Sequence, residues 1–314
     1  MSITDIIIAV MIRAAAPGDL ARIQDICRET LDLEPDANRL PAILAAAPGR
    51  LSVVADKGGR VAGTCTGSLR QQPGKPVRGY LDLLAVAPSA AGHGAGRALL
   101  SAMEGLLAER GAAELIIGGH PPVYLWPGVD VRYTTMTCLA SSAGYQRHSD
   151  ATDLAVSLDT ADLRGEAELA SLAAAGVTLR RARRAESGSL VAWLRAGPWG
   201  DSSWPDEVAA ALDNEPPGCH VACRDGRYAG FACHGSVRAG WFGPMGTLPG
   251  DRGLGIGAAL LRRCLTDMSA AGLRTAMIGW AGPVKFYVRA VGARVGRVYW
   301  LYRKDLGGEA ADAR

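Results

Sequence analysis

The strongest constraint on the fold is an internal repeat. Val53-Val54-Ala55-Asp56-Lys57-Gly58-Gly59-Arg60-Val61-Ala62-Gly63 reads as strand, tight turn, strand, and Val221-Ala222-Cys223-Arg224-Asp225-Gly226-Arg227-Tyr228-Ala229-Gly230 reads the same way. Both carry Arg-x-Ala-Gly after the turn, 167 residues apart. Glycine in the turn supplies the positive φ of a two-residue hairpin. Each hairpin leads to an apolar strand (Leu81 to Val86; Trp241 to Thr247) and a proline (Pro88; Pro249). A glycine-rich turn and a helix follow, Arg97 to Glu109 in the first copy and Ala258 to Ala271 in the second. Gly111 and Gly272 stop the helices, and short apolar strands come next, Glu114 to Ile117 and Thr275 to Ile278. The glycine turns are 161 residues apart. Two matched signals in one order predict a duplication.

The expected organisation is an N-terminal domain over 1–160, a linker helix over 161–176 and a C-terminal domain over 177–314. Leu154 to Leu158 reads as the last strand of the first copy. The expected class is α/β: two tandem domains, each a mixed, partly antiparallel twisted sheet flanked by helices. A chain of 314 residues with 48% hydrophobic and 21% charged residues has apolar material for two cores. Net charge is +3, too near neutral to argue for nucleic acid or an anionic membrane. The cluster Arg180, Arg181, Arg183, Arg184 reads as a solvated strand end. Seven cysteines without a CxxC pair fit a reducing cytoplasm. The apolar run Ile6 to Ile12 is too short to span a bilayer and reads as the first strand.

A strand passing through a glycine-rich turn into a helix N-terminus is an anion site, because free amide N–H groups and the helix dipole point outward. The second copy has Arg252-Gly253-Leu254-Gly255-Ile256-Gly257, and the first has Ala91-Gly92-His93-Gly94-Ala95-Gly96 followed by Arg97. A diphosphate is the natural ligand. The missing Lys-Ser/Thr ending disfavours ATP, and the spacing is not that of a dinucleotide fingerprint.

The segment Thr247 to Leu261 resembles the acetyl-CoA motif of the GCN5-related N-acetyltransferases (GNAT), Q/R-x-x-G-x-G/A, with Arg252, Gly255 and Gly257 in its defined places. The resemblance implies tandem GNAT-like domains, and acetyl-CoA or another acyl-CoA as co-substrate without a metal. It implies that residues 252–257 hold the pyrophosphate, with Leu248 at the strand end. It also implies that the strands on either side splay apart to admit the pantetheine arm. Pro244 inside the preceding strand fits an interrupted ladder. In the first copy the same reading assigns Val86, Gly92, His93, Gly94, Ala95, Gly96 and Arg97. Ala91 stands where Gln or Arg is usual, so one charge-assisted contact is missing.

Acyl transfer to an amine needs a proton acceptor for the amine and a donor for the leaving thiolate. In the resembled family that donor is commonly a Tyr on the helix after the fifth strand. Tyr287 fits with an offset of one residue from Gly292. In the first copy the corresponding place is Ala140, and Tyr124 and Tyr133 are loop hydroxyls in an insertion, Pro121 to Tyr133. Asp82 on the fourth strand is the first copy's candidate base. The second copy offers only Asp201, Asp206 and Glu207, of which the last two read as a helix first turn. Trp199 and Trp204 sit in a Gly/Ser/Pro loop and read as acceptor-pocket residues. Cys219, His220, Cys223, Cys233 and His234 lie on two hairpin strands with no standard zinc spacing, so no metal is expected.

The leading expectation is an acyl-CoA-dependent N-acyltransferase acting on a small-molecule amine. Chemistry is placed mainly in the C-terminal domain, with a CoA-binding, degenerate N-terminal domain. A CoA-binding sensor or pseudoenzyme is the reading from another class, and a protein or peptide N-acetyltransferase is a second enzyme reading. A cytoplasmic location is expected, with no nucleic-acid or membrane partner. A homodimer is compatible with the sequence.

Overall fold

A computed structural model of the chain describes residues 10–72 and 74–306. The first elements are β1 (Met11–Ala14), α1 (Leu20–Thr30), α2 (Leu40–Ala46), β2 (Leu51–Lys57), β3 (Arg60–Arg70), β4 (Arg78–Val86) and α3 (Ala95–Glu109). Next come β5 (Glu114–Ile117), β6 (Val129–Asp130), α4 (Thr134–Ser142), β7 (Gln146–Ser157), α5 (Glu166–Ala174), β8 (Val177–Arg181), α6 (Ser187–Ala196) and α7 (Trp204–Leu212). The chain then forms β9 (Cys219–Arg224), β10 (Arg227–His234), β11 (Trp241–Thr247), α8 (Ile256–Ala270), β12 (Thr275–Ile278), α9 (Val284–Val291) and β13 (Arg294–Asp305). Of the apolar run read as a first strand, residues 6–9 lie outside the described residues, and β1 starts at Met11.

The chain divides into unit one, Met1–Asp150 with Tyr299–Arg314, and unit two, Ala151–Val298. In unit one β1, β2, β3 and β4 pair antiparallel in sequence order, and β5 joins β4 in parallel. In unit two β8, β9, β10 and β11 pair antiparallel in turn, and β12 joins β11 in parallel. Each unit therefore has the expected mixed, twisted sheet with flanking helices.

The boundaries differ from those expected. Leu154 does not close unit one: it pairs with Ile278 of β12, and Ser157 pairs with Thr275. The chain's last strand closes unit one instead, with Tyr302 opposite Ile117 and Asp305 opposite Glu114. An apolar alternation shows that a strand exists and which face is buried, but it does not name the partner strand. The segment read as a linker also belongs to unit two. Leu172 of α5 is buried in that unit's core, and Glu168 pairs with Arg262 of α8.

The repeat extends into the packing. The apolar stripe of α3, Leu99, Leu100, Met103 and Leu107, is buried against its sheet. In α8 Leu260, Leu261, Cys264 and Met268 stand at the same helical positions and are buried likewise. Full burial of such a side chain stabilises by roughly 1.5–3 kcal/mol, so these stripes hold each helix, and its N-terminus, in place. An ion pair recurs too. Arg13 pairs with Asp19 at 2.7 Å, and Arg180, 167 residues on, pairs with Glu186 at 2.6 Å. Each carboxylate also accepts a backbone N–H at the following helical turn, from Ala16 and from Arg183. Among the described residues no helix is long and apolar enough to cross a membrane.

Candidate active sites

Both units build the same slot. In unit one β4 and β5 pair from Arg78↔Glu114 to Leu81↔Ile117, after which β5 ends and β4 continues to Val86. In unit two β11 and β12 pair only at Trp241↔Met277 and Phe242↔Ile278, and β11 runs on to Thr247. The strands thus part toward the glycine turn. The ladder between β10 and β11 shifts register between Ala232 and His234, beside Pro244, as a proline without an N–H requires.

Each turn then makes a helix N-terminus with no side-chain cap. Gly94 and Gly255 are the N-cap residues, at φ 84° and 91°, in the left-handed region that disfavours any Cβ. The first amides of α3 and α8 have no intrahelical acceptor, since Ala98 and Ala259 make the first bonds, to Gly94 and Gly255. A Cβ at Gly92, Gly94, Gly253 or Gly255 would meet nothing within 4 Å, so the concave side is open. Outward amides, helix dipole and open space fit an anionic diphosphate in both units. Around the turns the side chains differ. Arg252 Nε donates to the Thr247 carbonyl at 3.3 Å, while Ala91 has no such group. His93 Nδ1 lies 2.8 Å from the Ala91 carbonyl oxygen, and Arg97 donates to the Ser142 hydroxyl at 2.8 Å. Val86 borders Gly96 in unit one, and Leu248 packs against the unit-two core ahead of its turn. Ala95 and Ile256, the first helical residues, are buried, and Leu254 is half-buried against the unit-two core.

Tyr287 on α9 is buried, edge-on to Phe242 at 6.3 Å and to Phe286 at 5.0 Å. Burial pushes its phenol up to about 12. Its counterpart in unit one follows from the neighbours of the turn glycines. A Cβ on Gly257 would meet Phe286 and Thr247, and one on Gly96 would meet Leu139 and Val86. Phe286 therefore matches Leu139, and Tyr287 matches Ala140, which is fully buried. The one-residue offset in spacing lies at the helix end: Gly292 directly caps α9, whereas Ala143 intervenes before the left-handed Gly144 after α4.

Asp82 shows the reverse asymmetry. Its side chain is buried on β4, with Oδ2 accepting from Arg50 Nη1 at 2.7 Å. Arg50 also donates to the Ser68 hydroxyl and the Val123 carbonyl. Burial pushes the Asp82 carboxyl up to about 6, and the Arg50 guanidinium only partly opposes it. The glycine-turn offset of 161 places Gly243 at the matching point of β11. Unit one thus keeps a carboxylate and lacks the phenol, while unit two keeps the phenol and lacks the carboxylate. Arg50 was invisible to sequence reasoning, because only the antiparallel register brings it beneath Asp82.

A cavity of about 650 Å³ in unit one runs from the glycine turn (Ala91, Gly92, Gly96) past Asp82 to the insertion and the end of α1. Tyr133 lines it, and its hydroxyl accepts the Leu33 N–H at 3.2 Å. In unit two Glu168, Arg262, Lys285 and Arg289 line a shallower hollow of about 500 Å³ between α8 and α9.

Three sequence readings take a different place. Trp199 is buried, stacked on Trp204 at 6.1 Å and edge-on to Phe231 at 5.2 Å, so it fills the unit-two core rather than an acceptor pocket. Asp206 is ion-paired with Arg195, and buried Glu207 accepts from Ser203 Oγ in the first turn of α7. Cys219 and Cys233 are core residues, and His220 and His234 converge on Asp267 Oδ2 at 2.6 and 3.3 Å. Among the described residues no group of three or more His, Cys, Asp or Glu could hold a metal ion.

A family model described as acetyltransferase (GNAT) family matches residues 19–122 and 183–292. No curated protein matches the chain. Among solved structures, a GCN5-related glucosamine N-acetyltransferase region of a fungal multi-domain β-N-acetylglucosaminidase is 18% identical, with TM-score 0.79, over 94% of this chain and 38% of that one. The chain therefore spans well under half the length of that fungal protein. A tandem GNAT protein from the clavulanic acid biosynthesis pathway is 17% identical, with TM-score 0.67, over 96% of this chain and 100% of that one. A GCN5-related N-acetyltransferase from Sphaerobacter thermophilus is 21% identical, with TM-score 0.62, over 94% of this chain and 95% of that one. At these identities the likeness is one of fold.

Proposed function

Because the chain belongs to the acetyltransferase (GNAT) family through both of its halves, we propose that it transfers an acetyl or other short acyl group from CoA to the amine of a small molecule, with the chemistry in unit two. The observation that carries the placement is Tyr287, the buried phenol beside the unit-two slot, opposite Ala140 in unit one. The amides of residues 252–257 and the Arg252 guanidinium hold the diphosphate, with Leu248 at the strand end. The basic hollow with Lys285 and Arg289 adds positive charge nearby. The thioester, when bound, supplies the electrophilic carbonyl: the amine nitrogen bonds to that carbon, the carbon–sulfur bond breaks, and the amine's proton balances the thiolate. Tyr287 is protonated throughout the neutral range, so its Oη donates to the sulfur as negative charge gathers there. With Gly243 where Asp82 stands in unit one, no carboxylate from β11 takes the amine proton, so the amine enters neutral or gives its proton to water.

Unit one holds CoA through Gly92, His93, Gly94, Ala95, Gly96 and Arg97 without that phenol, a CoA-binding half with little turnover. The experiment is a free-thiol release assay with acetyl-CoA and a panel of amines, headed by glucosamine, the acceptor named for the fungal relative. Turnover that Tyr287→Phe slows while CoA affinity holds supports the reading. Binding of CoA without turnover on any amine supports a CoA sensor instead.

A further inference from the structure

We propose that the cavity of unit one is a binding site for a small di- or polyamine, with Asp82 receiving one ammonium and the acidic end of α1 facing the other. Among the residues that line the cavity, Glu29, Asp32, Asp82 and Asp130 are acidic, and Arg132 alone is basic. The same wall is the C-terminal end of α1, whose last carbonyls lack intrahelical donors and add negative potential. Asp130 is already matched, since Arg132 binds both of its oxygens. Glu29 and Asp32 are exposed and turned to the solvent side of the cavity wall.

A second observation singles out Asp82. The residue is 2% exposed and lines the cavity, Arg50 holds its Oδ2, and its Oδ1 is buried with no hydrogen-bond partner. A buried carboxylate oxygen without a donor is unfavourable, and the groups that could supply one from the chain are already spent. Arg50 is committed to Ser68, Val123 and Oδ2, and a Cβ on Gly119, 3.4 Å from Oδ1, would bring bulk rather than an N–H. An ammonium has three donors and no acceptor, so it satisfies Oδ1 without competing with Arg50. An anion would be repelled by the lining, and a neutral ligand would leave the acidic rim without a partner. A second ammonium on the same molecule meets Glu29 and Asp32, which is why the class is di- or polyamine rather than monoamine.

The inference rests on the acyltransfer reading only for the place of the CoA slot, so amine binding and CoA binding are measured separately. Spermidine and putrescine, with 1,4-butanediol as the neutral control, are titrated into the full chain by calorimetry, and CoA is titrated in parallel. One spermidine should bind per chain and butanediol should not bind. Asp82→Asn should weaken spermidine by at least about tenfold, the loss of one charge-assisted contact. If that variant fails to fold because Arg50 loses its counter-charge, the exposed double variant Glu29→Gln/Asp32→Asn carries the test, with spermidine affected more than putrescine. Unchanged spermidine affinity in the folded variants overturns the proposal, as does a chain that binds CoA but neither amine. Amine binding that survives with no CoA binding leaves the amine site standing and removes the acyltransfer reading. A chain that binds neither ligand removes both.

Discussion

Unit one and unit two lay the same strands around the same uncapped helix N-terminus, and their differences fall on three matched positions. Unit one has Ala91, Asp82 and Ala140 where unit two has Arg252, Gly243 and Tyr287. The backbone parts that hold a diphosphate survive in both, because they depend on φ and on free amides rather than on side chains. The side chains that move protons have been divided between the halves. Duplicated domains can thus share a ligand-binding frame while differing in chemistry, and the frame is a poor guide to which half reacts.

The comparison can be broken most forcefully at the unit-two turn. Gly255→Glu puts a carboxylate where the diphosphate would lie and should reduce turnover to background in the thiol-release assay. A side chain at φ 91° is also strained by roughly 1–2 kcal/mol. Gly255→Ala separates the two effects: it carries the strain without the charge and should retain most of the turnover. Loss of activity in the Ala variant equal to that in the Glu variant would mean that strain, not the anion site, explains the result.

Next in size is Tyr287→Phe, expected to slow transfer by roughly 10²-fold, the low end for a general acid. Acetyl-CoA affinity should hold, since the phenol acts mainly in the transition state. Turnover equal to wild type would remove Tyr287 from the mechanism and leave its ring as packing against Phe242 and Phe286. A smaller effect is expected from Gly94→Glu. It should spare turnover yet reduce the rise in melting temperature caused by excess acetyl-CoA, because a ligand that binds only the folded chain stabilises it by mass action. If Gly94→Glu instead abolishes turnover, the chemistry belongs to unit one and to Asp82.

The smallest expected effect concerns the repeated ion pair. The hydrogen bond from Arg13 and then the Ala16 N–H hold the Asp19 carboxyl down near 2; the hydrogen bond from Arg180 does most to place Glu186 near 2 as well. A carboxyl depressed in the folded state stabilises fully above its unfolded value near 4, and that contribution fades as pH falls toward 2. Asp19→Asn should therefore lower the melting temperature slightly at pH 7, by no more than about 1 kcal/mol for a partly exposed pair. The gap from wild type should shrink as pH falls from about 5 to about 2, and a gap that stayed constant would assign the effect to something other than the ionised carboxylate.

Much of this was legible in the sequence because it is local. The hairpin glycines, the glycine turns and the 161-residue offset describe short stretches of chain whose geometry depends on near neighbours, and they place both anion sites. What depends on distant pairing was not legible. Leu154 announces a strand, yet only the folded sheet shows that Ile278 is its partner. Asp82 could be placed on β4, but its burial and its bond to Arg50 come from a register across 32 residues. Trp199 sits among glycines and serines, which argued for an open loop, while its ring is drawn into the core beside Phe231. Burial of an aromatic is decided by what surrounds it in space, and loop composition does not report that.

The central claim is that each half carries its own CoA slot at its glycine turn, and native mass spectrometry tests it most directly by counting ligands. The full chain in acetyl-CoA should carry two, and Gly255→Glu and Gly94→Glu should each carry one. Two bound molecules in either variant, or a wild-type chain that never carries more than one, would contradict it.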